Sequence, residues 1–299
     1  MSVALGSRFV GATPESPAPR GGIAVGAVAV LTGWGLGTRA LPDDATRAAA
    51  GRSVIPMSRP DLDGERFRRA TRECLMGVAA VDALLREGAI DRGIIRGCST
   101  ALLYATGAAY GASNQAFIVA EALRQARTEG GLIQKRPGSV APGGTYFPYT
   151  APSAMAGEVA IEFELTGPYG ILIGGAAATI DALWQATRLL AHGRCERAIV
   201  LAVETFEECA DLYARGRWLV KRPLVEAAAC ALLVPGALRA RYDAPRSPSA
   251  LETLTRARAG ETFACAPLIA LALACDEAGT GSVSLTGEWR GRRAGLHWG

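Results

Sequence analysis

Four stretches of the sequence are short and largely apolar, and segments of helix length separate most of them. Continuous apolar runs that do not alternate with polar residues are typical of strands covered on both faces of a sheet. Because such runs alternate here with helical segments, the pattern favours an α/β fold around a buried central sheet. The runs are Ile23–Thr32, Tyr169–Ile173, Arg197–Val203 and Ala227–Val234.

The clearest predicted helix extends from Arg66 to Glu87, because apolar residues recur in it at steps of three and four from Leu75 to Leu85. Gly88 ends it. The other predicted helices are Asn114–Thr128, Ser153–Phe163 with Ser153 as N-cap, Ala176–His192 and Phe263–Cys275. The other predicted strands are Thr100–Thr106, Ser282–Thr286 and Arg293–Trp298, while Leu41–Asp63, Gly130–Pro152 and Arg239–Ser249 are predicted connections.

Composition narrows the classes of function. Charged residues make up 20% of the chain, against about 25% in an average soluble domain, which fits an extra buried face such as a subunit interface. The net charge of +4 is small and spread along the chain, so nucleic acid is not an expected partner. With two histidines, a His-rich metal site is excluded. Any His-dependent chemistry would have to use His192 or His297, and His192 is expected to cap the carbonyls at a helix end.

The seven cysteines are odd in number and contain no C-x-x-C pair, so neither a disulfide framework nor a zinc site is expected. Reduced thiols fit a cytoplasmic protein. Cys98 and Cys209 have small or polar neighbours, but neither stands at a strand–helix turn. The Pro- and Gly-rich residues 1–22 are predicted to form a flexible tail, with neither a signal peptide nor a membrane span.

The segment Tyr169–Thr179 predicts a strand, a tight turn at Gly174 and Gly175, and a buried helix. A turn of this kind presents one side chain at the positive end of the helix. Enzymes place a nucleophile there, since the helix dipole lowers the pKa of a thiol and nearby N–H groups can hold an oxyanion. In this chain the residue at that position is Ala176, which cannot act as a nucleophile.

Several motifs occur in order: the helix from Ser153 to Ile161, the residues Leu165–Pro168, and then the turn. In this order the sequence resembles a β-ketoacyl synthase of the thiolase superfamily. The resemblance covers about residues 23–236, and includes the glycines at Gly33–Gly37 and Glu226–Ala228, where the family has G-E-G-A. It implies a thiolase-like layered α/β fold, with a complete first βαβ half at residues 23–236 and a shortened second half at 237–299.

The departures from the family pattern concern its catalytic residues. Counted from Gly167, the family's nucleophilic Cys falls on Ala176. The family's two catalytic histidines, its lysine and its late glycine-rich stretch are not recognisable after Pro235, and the setting of His297 matches neither histidine. The resemblance therefore implies a non-catalytic relative, closest to a chain-length factor, the ketosynthase β subunit of type II polyketide or aryl polyene-type systems. It needs no cofactor and no metal.

The resemblance also implies partners. A chain-length factor forms a heterodimer with a catalytic ketosynthase subunit, stabilises it, and shapes the tunnel for the acyl chain in polyketide or fatty-acid-type elongation. An acyl carrier protein reaches it through that complex. The tunnel and interface residues implied here are Tyr110, Ser113, Asn114 and Phe117, the loop aromatics Tyr146, Phe147 and Tyr149, and Ile171, Leu172 and Ile173 on the strand that pairs across the dimer.

Purely structural roles are the alternatives for some of these residues. Phe117 could belong to the core of its own helix, and the loop aromatics could pack on a neighbouring helix. Two other functions also remain open from the residues. The chain could be a ketosynthase-fold acyltransferase with a different nucleophile, or a pseudoenzyme whose role toward its partner is purely structural.

Overall fold

The computed structural model describes residues 21–107, 118–123, 151–206, 222–278 and 282–299. The strands there are β1 Gly22–Thr32, β2 Gly35–Leu36, β3 Val54–Ile55, β4 Thr100–Thr106, β5 Tyr169–Ile173, β6 Arg197–Glu204, β7 Leu224–Val225, β8 Ala227–Gly236, β9 Ala240–Asp243, β10 Val283–Trp289 and β11 Arg292–Trp298. The α-helices are α1 Ala45–Ala49, α2 Arg72–Glu87, α3 Arg92–Ile95, α4 Ser153–Glu162, α5 Gly175–Ala191, α6 Ala250–Ala259 and α7 Ala266–Ala278. Residues 118–123 are also helical.

The central sheet has the order β2-β1-β8-β6-β4-β5 within the described part of the chain. Strand β4 pairs in parallel with β5 and β6, whereas β8 runs antiparallel to both β1 and β6. Side chains alternate between the faces: Leu103 and Val200 pack with α5 and α7, while Leu102 and Ile199 pack with α2 and α4. Helices therefore cover both faces, which confirms the layered α/β fold.

A smaller sheet of order β10-β11-β9 lies beside the central one. It is tied to α5 through the buried carboxylate of Asp181, which accepts hydrogen bonds from Tyr242 of β9 at 2.6 Å and from Arg292 of β11 at 2.7 Å. Leu285, Leu296 and Trp298 join the core that lies under α5 and α7. The small sheet is thus packed directly on the helix that follows the glycine turn.

Four predictions of local structure were wrong. The region Leu41–Asp63 is not a plain connection, because it contains α1 and β3. The region Arg239–Ser249 is not a plain connection, because it contains β9, which is held by long-range pairing with β11. Pro152, and not Ser153, is the N-cap of α4, and no side chain caps that helix. The helix predicted from Arg66 begins at Arg72, since the chain is extended just before it, after a 3-10 turn at Glu65–Arg69.

The predicted helix Asn114–Thr128 is confirmed over residues 118–123, and its remainder lies outside the described residues. The structure also contains α6, for which no helix was predicted. In the described ranges, no helix has both the length and the apolar character that a bilayer span requires.

Candidate functional site

The glycine turn connects β5 to α5 as the sequence predicts. Gly174 and Gly175 have φ angles of 154° and 52°, a backbone region that glycine enters without the steric cost of a Cβ. Ala176 follows in the first turn of α5, and its side chain is only 6% exposed. The position implied for a nucleophile therefore bears a buried methyl group.

Strand β10 lies directly on this turn. A Cβ at Gly287 would lie 2.5 Å from the carbonyl oxygen of Ala176, so the backbone of Gly287 is in close contact with that residue. Trp289, two residues further along, lies against Gly175, where a Cβ would lie 2.6 Å from its Cδ2 atom. The indole also reaches Gly107, after β4, where a Cβ would lie 3.0 Å from Cη2. Glycine at these positions is what allows the indole to approach.

Two phenylalanines pack in a row with Trp289. The ring of Phe263 lies edge-on to Trp289, with 5.1 Å between centroids, and edge-on to Phe206, with 5.3 Å between centroids. Such T-shaped pairs are favourable geometries for aromatic rings. Phe263 has a positive φ of 44°, which is uncommon outside glycine. The aromatic cluster Phe206–Phe263–Trp289 joins three segments that are distant in sequence.

Glu204, at the end of β6, connects the segment after β4 with the segment that contains Phe263. Its fully buried carboxylate accepts hydrogen bonds from the backbone N–H of Gly107 at 2.6 Å and of Ala264 at 3.2 Å. Burial raises the pKa of the Cys265 thiol well above its usual range, and the charge of Glu204 raises it further. This thiol is therefore protonated at neutral pH and is a poor nucleophile.

Glu226, in the segment that resembles G-E-G-A, forms a second buried centre. Its carboxylate lies 2.6 Å from Nη2 of Arg72, and it accepts backbone hydrogen bonds from Met57 and Phe206, each at 2.8 Å. Arg72 also donates to the carbonyl of Met57. These bonds connect α2 with the residue that precedes β8 and with the loops at Met57 and Phe206, so the role of Glu226 is structural.

Neither histidine belongs to the glycine turn. His192 lies at the far end of α5, about 25 Å along the helix axis at 1.5 Å per residue, and its Nδ1 atom lies 2.7 Å from the carbonyl oxygen of Arg188. The predicted capping role of His192 is confirmed. His297, on β11, pairs with Asp243 of β9 through an Nε2–Oδ2 distance of 3.0 Å.

The described cysteines are all free, as predicted, and Cys98 is exposed in the connection before β4. Cys209 lies outside the described residues. In the same part of the chain no group of His, Cys, Asp or Glu side chains has the arrangement of a metal site.

A groove of about 550 Å3 lies at the opposite edge of the central sheet. It is bordered by Val25 and Val28 of β1, by Glu87, and by Asp276, which accepts a hydrogen bond from Thr38. Burial raises the pKa of Glu87; the charge of Arg86 opposes this shift, and the charge of Asp276 adds to it. Of the implied tunnel and interface residues that the structure describes, Ile171, Leu172 and Ile173, none borders the groove.

Strand β5 forms the other edge of the sheet, and among the described strands it pairs only with β4. Tyr169 is 72% exposed and Ile173 is 40% exposed, while Ile171 and Leu172 are half-buried. Exposed apolar side chains also occur at Ile118, Val119 and Leu123 in the helical residues 118–123. Of the implied interface residues, Ile171–Ile173 therefore lie on an edge strand of the described sheet.

Seven of the implied tunnel and interface residues are left. They lie outside the residues that the structure describes, and their roles stay predictions; they are Tyr110, Ser113, Asn114, Phe117, Tyr146, Phe147 and Tyr149.

Sequence reasoning missed Glu204, Phe263, Gly287 and Trp289. One signal was present for Glu204, because side chains at the carboxyl ends of parallel strands commonly form the sites of α/β proteins. For Trp289 the only local hint was its place in the short stretch between Gly287 and Gly291.

Comparison with solved structures shows which fold these elements form. The ishigamide ketosynthase/chain length factor superposes with a TM-score of 0.65 at 16% identity, over 93% of this chain and 99% of that one. AntDE:AntF, a type II PKS acyl-carrier protein in complex with its ketosynthase, gives a TM-score of 0.71 at 13% identity, over 93% and 99% of the two chains.

A third similar structure is the ketosynthase ApeO in complex with its chain length factor ApeC from Xenorhabdus doucetiae. It gives a TM-score of 0.56 at 15% identity, over 93% of this chain and 98% of that one. These likenesses establish a ketosynthase-type, thiolase-like fold. No curated protein matches the chain in sequence. The family model for the N-terminal domain of β-ketoacyl synthases matches residues 58–222, which is more than half of the 299 residues, and the chain therefore belongs to the β-ketoacyl synthase family.

Proposed function

We propose that this chain is a non-catalytic subunit of the chain-length-factor type, which pairs with a catalytic ketosynthase in polyketide or fatty-acid-type chain elongation. The observation that carries the proposal is Ala176 at the glycine turn, buried beneath Gly287 and following Gly175, against which Trp289 lies. The family membership supplies the type of reaction, and the missing thiol separates this chain from the subunit that performs it.

Decarboxylative condensation requires a group that carries the growing chain. A thiolate attacks the acyl thioester, takes the acyl group and releases the carrier thiol; the malonyl thioester then loses CO2, and the resulting carbanion displaces the thiolate from the acyl carbon. The methyl group of Ala176 has no lone pair for the first step. The buried Cys265 remains protonated and hydrogen-bonded to the carbonyl of Ala227 at 3.3 Å. This chain therefore depends on a partner for the acyl-carrying thiol.

The edge strand β5 is the surface that suits this partner. Its exposed Tyr169 and Ile173 and its half-buried Ile171 and Leu172 give an apolar border beside backbone groups that can extend the sheet. A strand of the ketosynthase subunit would complete it. Two of the structurally similar proteins are complexes of a ketosynthase with a chain length factor, which supports this type of partner.

In such a heterodimer the acyl carrier protein delivers its substrates to the ketosynthase, and this chain contributes to the wall of the tunnel. Tyr110, Ser113, Asn114 and Phe117, together with Tyr146, Phe147 and Tyr149, are the proposed tunnel and interface residues. Bulk at these positions would stop elongation by exclusion, since a packed wall admits no further methylene groups. The low charge and the reduced cysteines that the sequence predicts fit a cytoplasmic complex.

The proposal is tested with purified components. The chain alone, the partner ketosynthase alone and the co-purified pair are each incubated with labelled acyl- and malonyl-carrier proteins. We expect condensation by the pair, and neither condensation nor a covalent acyl adduct on this chain by itself. An acyl adduct on the isolated chain would overturn the proposal and would favour an acyltransferase with another nucleophile. Failure of the two chains to co-purify would contradict the partnership.

A further inference from the structure

We propose that the side chain of Trp289 acts as a plug that closes the glycine turn of this subunit to acyl groups and to other thiol-directed ligands. The inference concerns the chain's own turn at Gly174–Ala176 and does not depend on the identity of a partner. It goes beyond the missing cysteine, because it states that a thiol restored at position 176 would still be shielded.

The first step is the fit of the indole to the backbone. A Cβ at Gly175 would lie 2.6 Å from Cδ2 and 2.8 Å from Cζ3 of Trp289, one at Gly107 would lie 3.0 Å from Cη2, and one at Gly174 would lie 3.9 Å from Cδ1. The ring system therefore spans from the turn to the end of β4. An enzyme with such a turn uses its backbone N–H groups to hold an oxyanion, and in this chain the indole lies against the glycines of the turn.

The second step is that the indole is held in place. Phe263 contacts it edge-on at 5.1 Å between centroids, and Phe206 supports Phe263 in the same way. Glu204 fixes the backbone on both sides, through the N–H groups of Gly107 and Ala264. A large side chain that packs against rings on one side and against backbone on the other keeps its position, so solvent or a ligand does not readily displace it.

The third step separates the removable part of the cover from the fixed part. Gly287 contacts Ala176 through its backbone alone, so no substitution at position 287 can remove this contact. Trp289 is partly exposed, with Arg290 lying 5.7 Å from the centroid of its ring. Its outer face therefore points away from the turn, and truncation of this one side chain would open a path from solvent.

The test places a thiol at the turn and measures its access. The variants are Ala176→Cys and Ala176→Cys/Trp289→Ala of the full chain, and the readout is the rate of alkylation by iodoacetamide at position 176. Mass spectrometry isolates this site, because residues 136–188, which trypsin releases as one peptide since the Arg136–Pro137 bond resists cleavage, contain no native cysteine. We expect alkylation at least about tenfold faster in the double variant, since the reactivity of a thiol depends on its exposure.

The matched control is Ala176→Cys/Trp34→Ala. Trp34 is also partly buried and packs on the core, and its Nε1 donates to the carbonyl of Ala259 at 3.0 Å. It should leave the rate at position 176 unchanged. If Trp289→Ala prevents folding, Trp289→Leu keeps apolar packing while shortening the side chain. The alkylation rate of Ala176→Cys/Trp289→Leu is then compared with that of Ala176→Cys. Equal alkylation rates with and without the indole would overturn the proposal.

Discussion

Gly175 and Trp289 are fitted to each other: the glycine has a φ of 52°, and the six-membered ring of the tryptophan occupies the space into which its Cβ would extend. The turn that presents a reactive side chain in an enzyme of this family is here packed against an aromatic ring. Its residues therefore contribute to stability, and their substitution is expected to show this directly.

Gly175→Ala should destabilise the fold by about 2–4 kcal/mol, because it adds a left-handed backbone penalty to the overlap with the indole. The measurement is the free energy of unfolding in urea. The matched control is Gly157→Ala in α4, where a Cβ meets nothing within 4 Å. It should stabilise the protein by about 0.5–1 kcal/mol, because alanine loses less entropy in a helix. The same sign for both variants would contradict the assigned packing.

Arg72→Met should cost about 3–5 kcal/mol, since it leaves the carboxylate of Glu226 buried without its cation. The control is Arg68→Met, which removes an ion pair with Glu65 in which both side chains are largely exposed. Exposed pairs contribute at most about 1 kcal/mol. Chemical unfolding of both variants measures the difference, and comparable losses would show that the Glu226 pair is not the structural centre assigned to it.

Stability should fall in alkaline solution. Burial raises the pKa of the Cys74 thiol from its ordinary value of 9.0 to about 12. A group with a raised pKa in the folded state contributes its full stability below its unfolded pKa, and loses it as the pH rises from about 9 toward 12.

Cys74→Ala should therefore reduce the slope of stability against pH between about 9.5 and 11 by up to about 1.4 kcal/mol per pH unit. Val78→Ala, at a buried position of the same helix, should lower stability while leaving the slope as it is in the unchanged chain. A slope that Cys74→Ala does not alter would refute the assignment.

Binding of the ketosynthase partner should depend on the β5 edge. Ile173→Glu places a charge on an apolar surface that the heterodimer would bury, so the dissociation constant should rise at least about a hundredfold. Leu36→Glu is the control, because Leu36 is equally apolar and 54% exposed, but lies at the opposite end of the sheet. Titration of labelled partner measures both variants. An equal effect of the two substitutions would argue against β5 as the contact.

Phe117→Ala should lengthen the product of the reconstituted heterodimer, because it removes bulk from the proposed tunnel wall. Mass spectrometry of the released chains gives the length distribution. A lower yield at unchanged length would instead support a purely structural role for this subunit.

The parts of the fold that the sequence predicts well are those held by local pattern. Strands β4 and β5 have the predicted bounds. Strand β4 is buried along its whole length and therefore leaves a continuous apolar run, whereas β5 is an edge strand whose bounds are marked by Pro168 before it and by the glycine turn after it. Strand β9 was missed, since its four residues are defined by pairing with β11 and not by composition. Helix α6 could have been found: Ser249 and Glu252 form an S-x-x-E capping signal, and the Ser249 hydroxyl accepts from the Glu252 N–H at 3.1 Å.

The candidate site divides in the same way. The turn and Ala176 were predictable because strand, glycines and helix are consecutive. The cover over them was not, because Gly287 and Trp289 reach the turn only through tertiary packing of the small sheet on α5. A long-range contact of this type leaves no periodic trace in either segment.

The open edge at β5 has a consequence for the supply of this protein in a cell. An edge strand with apolar flanks is a template for any chain that offers a complementary strand, including another copy of itself. We expect its yield in soluble form to follow the amount of partner synthesised alongside it. The ratio of the two polypeptides, more than the intrinsic stability of either, would then determine how much usable complex accumulates.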